Sequence, residues 1–431
     1  MVLSVITPSP LKGCITSQPS KSMAHRAIIS AFLAKGKSVI DNIVLSEDIK
    51  ATIEAVKSLG ADVLIDDSAN YAGRQCVTVI SDRIFLRNNF IDCNESGSTA
   101  RFIMPITRLI SQEVTITGRG RLIERPFSVY KDLFAEKGVK YSDNSGKMPI
   151  SLEGQLEPGI YNLPGDVSSQ FITGLLFTLP LLEGNSVINI TTKLESLPYI
   201  MMTLQVLNEF GITIKFNSEK MIFVIPGFQR YKSVPYYVVE GDWSQAAFFC
   251  VMGAISDHIT IKGLNQNSRQ GDKAIIDILN NMGAKVTINE DEITVSKSNL
   301  KGIEVDSTHI PDLIPIISVA ASLSQGTTVI KNAERLRIKE SDRLTTTRIV
   351  LEELGAKIIE KPDGLIIEGV AVLKGGRVSG YNDHRIVMAV AAASAVSKGV
   401  VEISGSEAIK KSYPDFWKDF AAIGGKVKIY E

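Results

Sequence analysis

The sequence predicts an α/β protein of two similar domains, each built from three repeated units. Three observations predict this fold class: a glycine that ends a helical pattern six times, six long apolar helices with polar starts, and short strand patterns between them. A fixed period of this kind is the sequence signature of a repeat architecture. A chain of 431 residues is also long enough for two or three domains.

The recurring glycine marks the end of a surface helix. The stretch "LNNMGAKV" at 279–286 places Leu and Met at helical spacing, followed by Gly283 and a short β-leaning tail. A glycine just past an apolar helical stripe is typical of a left-handed C-cap. The six glycines lie 69 to 78 residues apart, at Gly60, Gly138, Gly211, Gly283, Gly355 and Gly424.

Six further segments predict buried helices. After a polar first turn they are apolar nearly all round, which is typical of helices in a core rather than on a surface. Ser and Asp at their starts can cap amide donors that a helix leaves unpaired. The predicted starts are Ser20, Ser96, Asp166, Asp242, Pro311 and Asp383.

Strands and surface helices complete each unit. Strands are predicted for "KSVIDNI", "VTITG", "SVINIT", "HITIKG", "TTVIKN" and "VVEISG". Surface helices that each precede one of the glycines are predicted for "DIKATIEAVKSL", "PYIMMTLQVLNEF", "DKAIIDILNNM" and "RLTTTRIVLEEL". A unit is therefore apolar helix, strand, surface helix, glycine and strand. Three units on each side of the middle suggest two domains whose polar helix ends face one shared cleft.

Composition limits the classes of function. Lys and Arg number 47, as do Asp and Glu, so no global field favours nucleic acid or an anionic membrane. No signal-peptide pattern begins the sequence, and the apolar stretches are shorter than a membrane span. The cysteines have no metal-ligand spacing and predict reduced thiols in a cytoplasmic protein; they are Cys14, Cys76, Cys93 and Cys250. The four histidines do not cluster, so we expect no metal site, and neither a P-loop nor a GxGxxG pattern after a strand occurs.

Several cationic residues lie near the N-terminal ends of predicted helices, where positive charge is unfavourable. Lys21, Arg26, Arg101 and Arg385 lie within the first two turns of predicted helices, where the macrodipole is already positive. Such placement makes sense if an anion also binds there. Further cationic strings contain Arg119, Arg121 and Arg125, then Arg335, Arg337, Lys339 and Arg343, and finally Lys410 and Lys411. Together they predict a site for more than one anionic group.

Carboxylates lie among these cations, at Asp312, Glu340 and Asp383. A carboxylate between cations stays ionised and can act as a base, whereas one that donates a proton needs a raised pKa. Asp312 and Glu340 can therefore supply base and acid, and the pattern does not decide which is which.

The motifs resemble those of the 5-enolpyruvylshikimate-3-phosphate synthase family. They are "SKSMAHRA", "ESGSTAR", "GRGRLIERP", "GDVSSQF", "SLPYI", "EGDWSQAAFF", "IPD", "IKESDRL", "NDHRIVMA" and "KKSYPDF", in that order from about residue 9 to about residue 420. The resemblance implies two domains of three βαβαββ units around buried central helices, an inside-out α/β barrel. It implies a first domain at 13–239, a second at 1–12 plus 240–431, and a hinge near 12–20 and 238–241, with the active site in the interdomain cleft.

The resemblance also implies a reaction. The enolpyruvyl group of phosphoenolpyruvate passes to the 5-hydroxyl of shikimate 3-phosphate by addition and elimination, without metal or organic cofactor, in aromatic amino acid biosynthesis. Domain closure would exclude water from the site. We expect a cytoplasmic monomer whose partners are these two small molecules, with no nucleic acid and no membrane.

Individual roles follow from matching motifs. The phosphoenolpyruvate set is expected to be Lys21, Gly97, Arg125, Arg343, Arg385 and Lys411. The phosphoshikimate set is expected to be Ser22, Arg26, Ser168, Ser169, Ser196 and Tyr199. Gln170 and Lys339 are expected between the two ligands, Asp312 resembles the base on the 5-hydroxyl, and Glu340 resembles the acid at the methylene carbon. His384 is expected to support that site.

Three positions depart from the family pattern. Glu95 stands where many relatives have Asn, Arg335 replaces an Asn, and Phe102 replaces a Pro. These changes lie beside the loop of the second substrate and in the string that carries Lys339, so the hydrogen bonds there are expected to differ.

Two other functions compete with this hypothesis. The related transferase that acts on UDP-N-acetylglucosamine is expected to have Lys-Asn at the first motif and a reactive cysteine on a mobile loop. This chain has Lys21-Ser22 and no cysteine in 105–130. A catalytically inactive anion-binding or scaffold protein is the other alternative, against which the presence of Asp312, Glu340 and Arg343 argues.

Overall fold

Two compact units make up the computed structural model, which describes residues 2–290 and 292–431. The middle unit is Pro19–Val239, and the terminal unit combines Glu240–Glu431 with the residues up to Gln18. Residues 1 and 291, which both fall in the second predicted domain, lie outside the described residues. Residues 13–18, which the sequence assigned to the first domain, belong to the terminal unit because strand Lys12–Thr16 pairs in parallel with His258–Lys262.

Within the described residues, each unit contains three four-stranded sheets of one pattern. Two neighbouring strands are parallel, and the other two are added antiparallel. In the middle unit the strands are β3 (Gly36–Ile43), β4 (Asp62–Asp67), β5 (Gln75–Ser81), β6 (Phe90–Asp92), β7 (Val114–Thr117), β8 (Lys140–Asn144), β9 (Lys147–Glu153), β10 (Ile160–Leu163), β11 (Ser186–Ile190), β12 (Lys215–Asn217), β13 (Ile222–Ile225) and β14 (Tyr237–Val238). Their orders are β14-β3-β5-β4, β6-β7-β9-β8 and β10-β11-β13-β12.

The terminal unit repeats the pattern. Its strands are β1 (Leu3–Thr7), β2 (Lys12–Thr16), β15 (His258–Lys262), β16 (Lys285–Ile288), β17 (Glu292–Ser296), β18 (Glu304–Asp306), β19 (Thr327–Lys331), β20 (Lys357–Lys361), β21 (Gly364–Glu368), β22 (Gly376–Ser379), β23 (Val401–Ser404) and β24 (Lys426–Tyr430). Their orders are β2-β15-β17-β16, β18-β19-β21-β20 and β22-β23-β1-β24. The α/β class and the three-repeat organisation of each unit are therefore confirmed.

Helices alternate along the chain between buried and partly exposed. The buried ones are α1 (Lys21–Leu33), α3 (Gly97–Ile106), α5 (Ser169–Thr178), α7 (Trp243–Ile255), α9 (Ile314–Ser322) and α11 (His384–Ala395). The others are α2 (Glu47–Ser58), α4 (Ser128–Glu136), α6 (Leu197–Glu209), α8 (Ile275–Asn281), α10 (Arg343–Glu353) and α12 (Phe416–Ala422). Short 3₁₀ segments occupy Thr107–Leu109, Gly120–Glu124, Leu179–Leu181, Gly271–Ala274, Pro311–Leu313, Glu334–Ile338 and Ser406–Lys411.

The buried helices begin close to where the sequence predicted. Four start one residue after the predicted cap, but α5 begins at Ser169 with Ser168 as its cap rather than at Asp166. The helix predicted from Pro311 starts with a 3₁₀ turn, and its α-helical part begins at Ile314. Each unit has its own hydrophobic core, in which these helices are buried on nearly every side.

All six recurring glycines end a helix in the left-handed region. Each lies two residues beyond a surface helix, and their φ values run from 72° to 110°. The residue after each glycine donates its N–H to the carbonyl five residues earlier, for example Ala284 to Leu279 at 2.8 Å. This bond defines a Schellman cap, for which glycine is preferred because it lacks a Cβ atom.

None of the helices described in residues 2–290 and 292–431 is both long enough and apolar enough to span a membrane.

Candidate active site

The middle unit's buried helices each start beside a serine that caps the first turn. In each case the serine hydroxyl accepts a backbone N–H, which leaves the rest of that positive helix end available to an anion. The caps are Ser20 for α1, Ser96 for α3 and Ser168 for α5. Ser169, predicted to bind substrate, is the first residue of α5 and is buried.

Two guanidinium groups lie against the start of α3. A Cβ atom built on Gly97 would lie 2.5 Å from Nη1 of Arg125 and 3.1 Å from Nη1 of Arg101. Both arginine side chains are buried. Glycine at this position therefore lets two positive charges approach a helix N-terminus, an arrangement that favours a bound anion.

Gln170 links Arg101 to Ser98 in the first turn of α3. Its Oε1 accepts from Nη1 of Arg101 at 2.7 Å, and its Nε2 donates to Oγ of Ser98 at 2.9 Å. The guanidinium of Arg101 also lies over the rings of Phe127 and Phe171, at 5.3 and 5.0 Å from the ring centroids. Aromatic faces stabilise a cation without neutralising it. Arg101, Arg125 and Gln170 thus form one positive cluster beside Gly97.

The start of α1 contributes a second positive group. Nζ of Lys21 lies 2.6 Å from Oδ2 of Asp48, and both side chains are largely buried. Asp48 belongs to the first turn of α2, where the helix dipole favours its negative charge. The ion pair fixes Lys21 beside the cap of α1.

Arg26 links α1 to α6. It donates from Nη1 to the carbonyl of Ser22 at 2.7 Å, from Nη2 to the carbonyl of Tyr199 at 2.9 Å, and from Nε to Oγ1 of Thr203 at 2.9 Å. Burial lowers the pKa of Arg26 to about 10, so the side chain stays charged at neutral pH. Ser196, which precedes α6, has a left-handed φ of 53°, a conformation that is strained for a non-glycine residue and often marks a functional site.

In the terminal unit, Arg343 lies at the centre of three carboxylates. Its Nη1 is 2.8 Å from Oδ1 of Asp312, its Nη2 is 2.8 Å from Oε2 of Glu340, and its Nε is 2.8 Å from Oδ2 of Asp383. The arginine side chain is 1% exposed, so water screens these interactions little. The two proposed acid–base carboxylates therefore share one guanidinium.

The pKa values in this cluster follow from its charges. Burial alone would lower the pKa of Arg343, but Asp383, Glu340 and Asp312 outweigh it and raise that pKa. Burial would likewise raise the pKa of Asp312, but Arg385, Lys339 and Arg343 hold that pKa well below its usual range. Asp312 is thus ionised in this structure.

The start of α11 brings two more predicted residues to Asp312. Arg385 donates from Nη2 to Oδ2 of Asp312 at 2.9 Å and from Nη1 to its carbonyl at 3.2 Å. Asp383 caps α11 by accepting the N–H of Arg385 at 3.0 Å. His384 is buried, with Nδ1 3.9 Å from Oδ1 of Asp383.

Lys339 lies half-buried near these charges. Its pKa is lowered to about 8, mainly by burial; the negative charge of Asp312 opposes the shift and the positive charge of Arg335 adds to it. Arg335, which departs from the family pattern, donates from Nη2 to the carbonyl of Thr308 in the segment before Asp312. The substituted arginine therefore contacts backbone in this structure and adds positive charge near Lys339.

Lys411 approaches the strained turn before α11. Its Nζ donates to the carbonyl of Asn382 at 2.7 Å. Tyr381 and Asn382 both have left-handed φ values, 49° and 53°. Two consecutive strained residues next to Asp383 place a lysine and an ionised carboxylate at one end of α11.

The sequence missed Asp272, a buried carboxyl in the terminal unit. Ser244 donates a hydrogen bond to its Oδ2. The pKa of Asp272 is raised to about 7, first by burial and then by the negative charge of Asp312, while Arg385 and the hydrogen bond from Ser244 oppose the rise. No sequence pattern could reveal this residue, because its burial depends on contacts made after folding.

Some predicted residues contact one another within their own unit, whereas members of the cationic strings pair elsewhere. Arg119 pairs with Asp92 at an exposed position, and Arg337 pairs with Asp342 and Glu360. Motif matching gives Arg101 no individual role, although its position in a helix start predicts an anion nearby. Within the described part of the chain, no group of three or more His, Cys, Asp or Glu side chains could hold a metal ion.

Comparison with known proteins identifies the family. Residues 5–420 match the model of the EPSP synthase (3-phosphoshikimate 1-carboxyvinyltransferase) family. The 3-phosphoshikimate 1-carboxyvinyltransferase of Clostridium novyi is 49% identical over 423 residues, covering 97% of each chain. That of Clostridium kluyveri is 46% identical over 422 residues, covering 98% of this chain and 97% of its own.

Solved structures agree with this result. An EPSP synthase from Acinetobacter baumannii has a TM-score of 0.83 and 25% sequence identity, and the match covers 100% of both chains. The enolpyruvyl transferase NikO from Streptomyces tendae, at 16% identity and a TM-score of 0.78, shares the fold. The chain belongs to the EPSP synthase family.

Proposed function

We propose that two groups of residues bind the two substrates of one reaction and supply its acid and base. They are the Gly97 cluster (Arg101, Arg125 and Gln170 beside Gly97) and the Arg343 cluster (Arg343 with Asp312, Glu340 and Asp383). As a member of its family, the chain catalyses transfer of the enolpyruvyl group of phosphoenolpyruvate to shikimate 3-phosphate. The products are 5-enolpyruvylshikimate 3-phosphate and phosphate. The expectation that both clusters face one cleft stays a prediction.

The observation that carries the residue roles is the sharing of Asp312 between Arg343 and Arg385. Both arginines are buried, and each offers a planar fork that suits a carboxylate. We propose that the carboxylate of phosphoenolpyruvate binds to the guanidinium groups of Arg343 and Arg385 in place of Asp312. Asp312 then loses its cationic partners, and its pKa rises toward the range in which a general base is effective.

The acid and base act on different atoms. Asp312 takes the proton of the 5-hydroxyl, whose oxygen attacks C2 of phosphoenolpyruvate. Glu340, 2.8 Å from Nη2 of Arg343, gives a proton to the methylene carbon C3. The tetrahedral adduct then loses the C3 proton back to Glu340 as the C2–O bond to phosphate breaks, and the proton on Asp312 leaves with the phosphate.

Other residues hold the anions. We propose that Gly97, Arg125 and Lys21 receive the phosphate of phosphoenolpyruvate, with Lys411 beside Arg343 and Arg385. We propose that Ser22, Arg26, Ser168, Ser169, Ser196 and Tyr199 hold shikimate 3-phosphate, with Gln170, Lys339 and His384 next to the reacting atoms. The positive cluster beside Gly97 supports the first set, because two guanidinium groups there meet a helix N-terminus.

The test measures phosphate release when the purified chain is mixed with phosphoenolpyruvate and shikimate 3-phosphate. Asp312→Asn and Glu340→Gln should each lower kcat by about 10²–10⁴-fold, because general acid–base catalysis contributes that much. Calorimetric binding of shikimate 3-phosphate should survive in Glu340→Gln. An unchanged kcat in either variant would remove that residue from the mechanism.

The same assay separates the alternatives. Release with UDP-N-acetylglucosamine instead of shikimate 3-phosphate would favour the related transferase, and no release with either would favour an inactive binding protein. The monomeric state and cytoplasmic location predicted from the sequence stay predictions. Size-exclusion chromatography with light scattering checks the first of them.

A further inference from the structure

Four buried side chains of the middle unit form a continuous chain of hydrogen bonds. Nδ1 of His25 lies 2.7 Å from Oγ1 of Thr52, which lies 2.6 Å from Oγ1 of Thr99. Thr99 in turn donates from Oγ1 to Oγ of Ser96 at 2.7 Å. None of the four residues is more than 1% exposed. We call this chain of four the hydroxyl relay.

The relay has a defined direction. Thr99 has one hydroxyl proton, and its acceptors are Oγ of Ser96 at 2.7 Å and, at the longer distance of 3.5 Å, the carbonyl of Asp48. With its proton on either of them, the oxygen of Thr99 accepts from Thr52. Thr52 therefore gives its own proton to Thr99 and accepts from His25. It follows that His25 carries its ring proton on Nδ1.

Other facts about His25 agree with this assignment. Burial lowers the pKa of His25 well below its usual value, and the nearby charges of Lys21 and Arg26 lower it further, so the ring is neutral. Among the described residues, no atom makes a hydrogen bond with Nε2 of His25. A ring nitrogen without its proton can remain unpaired at lower cost than an N–H donor.

The relay joins three helices that carry site residues. His25 lies in α1, between Lys21 and Arg26, and Thr52 lies in α2, one turn after Asp48. Ser96 is the cap of α3 and directly precedes Gly97. Because each hydroxyl is buried, breaking any one bond leaves polar atoms without a partner in a core that excludes water.

We propose that the hydroxyl relay is a positioning network that fixes the loop before α3 against α1 and α2. Its members do not touch substrate in this assignment. They hold Gly97 and Arg101 at the separation that an anion bound there needs. The inference rests on the proposed function, since it assigns that anion as phosphoenolpyruvate.

The experiment compares two substitutions of matched chemistry. Thr99→Val keeps the shape of the side chain and removes the hydroxyl that links Thr52 to Ser96. Thr178→Val is the control, because Thr178 is equally buried and, within the part of the chain that the structure describes, its hydroxyl bonds only the carbonyl of Gly174 in its own helix. Steady-state kinetics with each substrate varied in turn and thermal unfolding are measured for both variants and the parent chain.

We expect kcat/KM for phosphoenolpyruvate to fall about tenfold in Thr99→Val, the size expected when one buried hydrogen bond is lost. KM for shikimate 3-phosphate should change by less than about twofold, because the α1 end of the relay is held by its own packing and by Arg26. Thr99→Ser restores the hydroxyl and should restore kcat/KM. Thr178→Val should have the same kcat/KM as the parent chain for both substrates.

Several results would overturn the proposal. Equal changes for the two substrates, or a Thr99→Val enzyme that behaves as Thr178→Val does, would show that the relay is only part of the core. Should Thr99→Val fail to fold, Thr52→Val breaks two links of the same relay and is judged by the same substrate comparison. If the parent chain itself releases no phosphate, the proposed function fails rather than the relay.

Discussion

Asp383 holds Arg343 with both of its carboxylate oxygens. Oδ2 lies 2.8 Å from Nε and Oδ1 lies 3.2 Å from Nη2, and the two side chains are 0% and 1% exposed. The same carboxylate caps α11 through the N–H of Arg385. One buried aspartate therefore sets the orientation of the central guanidinium and the start of the helix that carries a second arginine.

Replacing Asp383 by asparagine should lower both the stability of the protein and its activity. Asparagine can still cap α11, but it leaves the buried Arg343 with less negative charge around it. Breaking one partner of a buried ion pair typically costs about 3–5 kcal/mol, and we expect a loss of that order from denaturant unfolding. The kcat/KM for phosphoenolpyruvate should fall about tenfold or more, because Arg343 is no longer held in one orientation.

An exposed ion pair supplies the control for this substitution. Arg348 and Glu352 are one helical turn apart on α10, at 30% and 37% exposure. Glu352→Gln should cost less than about 1 kcal/mol, as exposed pairs usually do. Equal stability losses in the two variants would contradict the central place given to Asp383.

Replacing Gly97 by alanine should lower the use of phosphoenolpyruvate without harming the fold. The added methyl group meets the guanidinium ends of Arg125 and Arg101, and these side-chain atoms can shift more readily than backbone. Gly97 is the first residue of α3, where the helix preference for alanine is smaller than the about 1 kcal/mol of an interior position, so stability should change little. Because the guanidinium groups are displaced, kcat/KM for phosphoenolpyruvate should fall about 10–100-fold.

Gly376→Ala is a matched control for this change. Gly376 lies at the start of β22, has no left-handed φ, and leaves 3.5 Å to its nearest neighbours, which is ordinary contact. The control should leave the kinetics as they were. A Gly97→Ala enzyme with parental kinetics would show that the arginine pair does not hold the substrate.

The repeats could be predicted because their signals are local. A glycine two residues past a helix and an apolar stripe without polar interruption both follow from backbone conformation and burial, so Gly60 and Gly283 behave as expected. The boundary between the two units was harder to predict. Residues 13–18 join the terminal unit through the pairing of β2 with β15, a contact across more than 240 positions that no local pattern encodes.

The site was predicted only as far as its motifs extend. Short strings identified Asp312, Glu340 and Arg343, and the structure brings these together around one guanidinium. Arg101 and Asp272 were not assigned a place, because their importance comes from partners such as Gln170 and Ser244 that are distant in sequence. Charge can be read from a sequence, whereas the burial that shifts a pKa requires the fold.

Titration of Lys339 should lower the activity at alkaline pH. Its pKa is lowered to about 8, so its positive charge is lost as pH rises through that value. We expect kcat/KM to decline above about pH 8 as an anion-binding charge disappears. Arginine keeps its charge throughout this range, so Lys339→Arg should lack the decline even if its activity is lower. A pH profile of the variant that still falls near pH 8 would assign the decline to another group.

Asp272 should make the free energy of unfolding fall as pH rises. The pH range of this effect differs from that of the carboxylates whose pKa values are lowered. Its pKa is raised to about 7 in the folded chain, mainly by burial, against about 4 when unfolded. Between these values the folded state holds a proton that the unfolded state has lost. The stabilisation that the protonated Asp272 gives to the folded state is therefore fully present below about pH 4 and is lost as pH rises through about 7.

Asp272→Asn tests this directly, because asparagine can still accept the hydrogen bond of Ser244 and cannot ionise. The unfolding free energy of the variant, minus that of the parent chain, should grow by about 1.4 kcal/mol per pH unit between about pH 4 and 7 and then level off. Urea unfolding at half-unit pH steps measures the difference. Ser244→Ala is the control: it keeps the carboxyl and removes a bond that lowers its pKa, so the window should extend upward. Parallel curves for Asp272→Asn and the parent chain would mean that the carboxyl titrates as an ordinary exposed aspartate does.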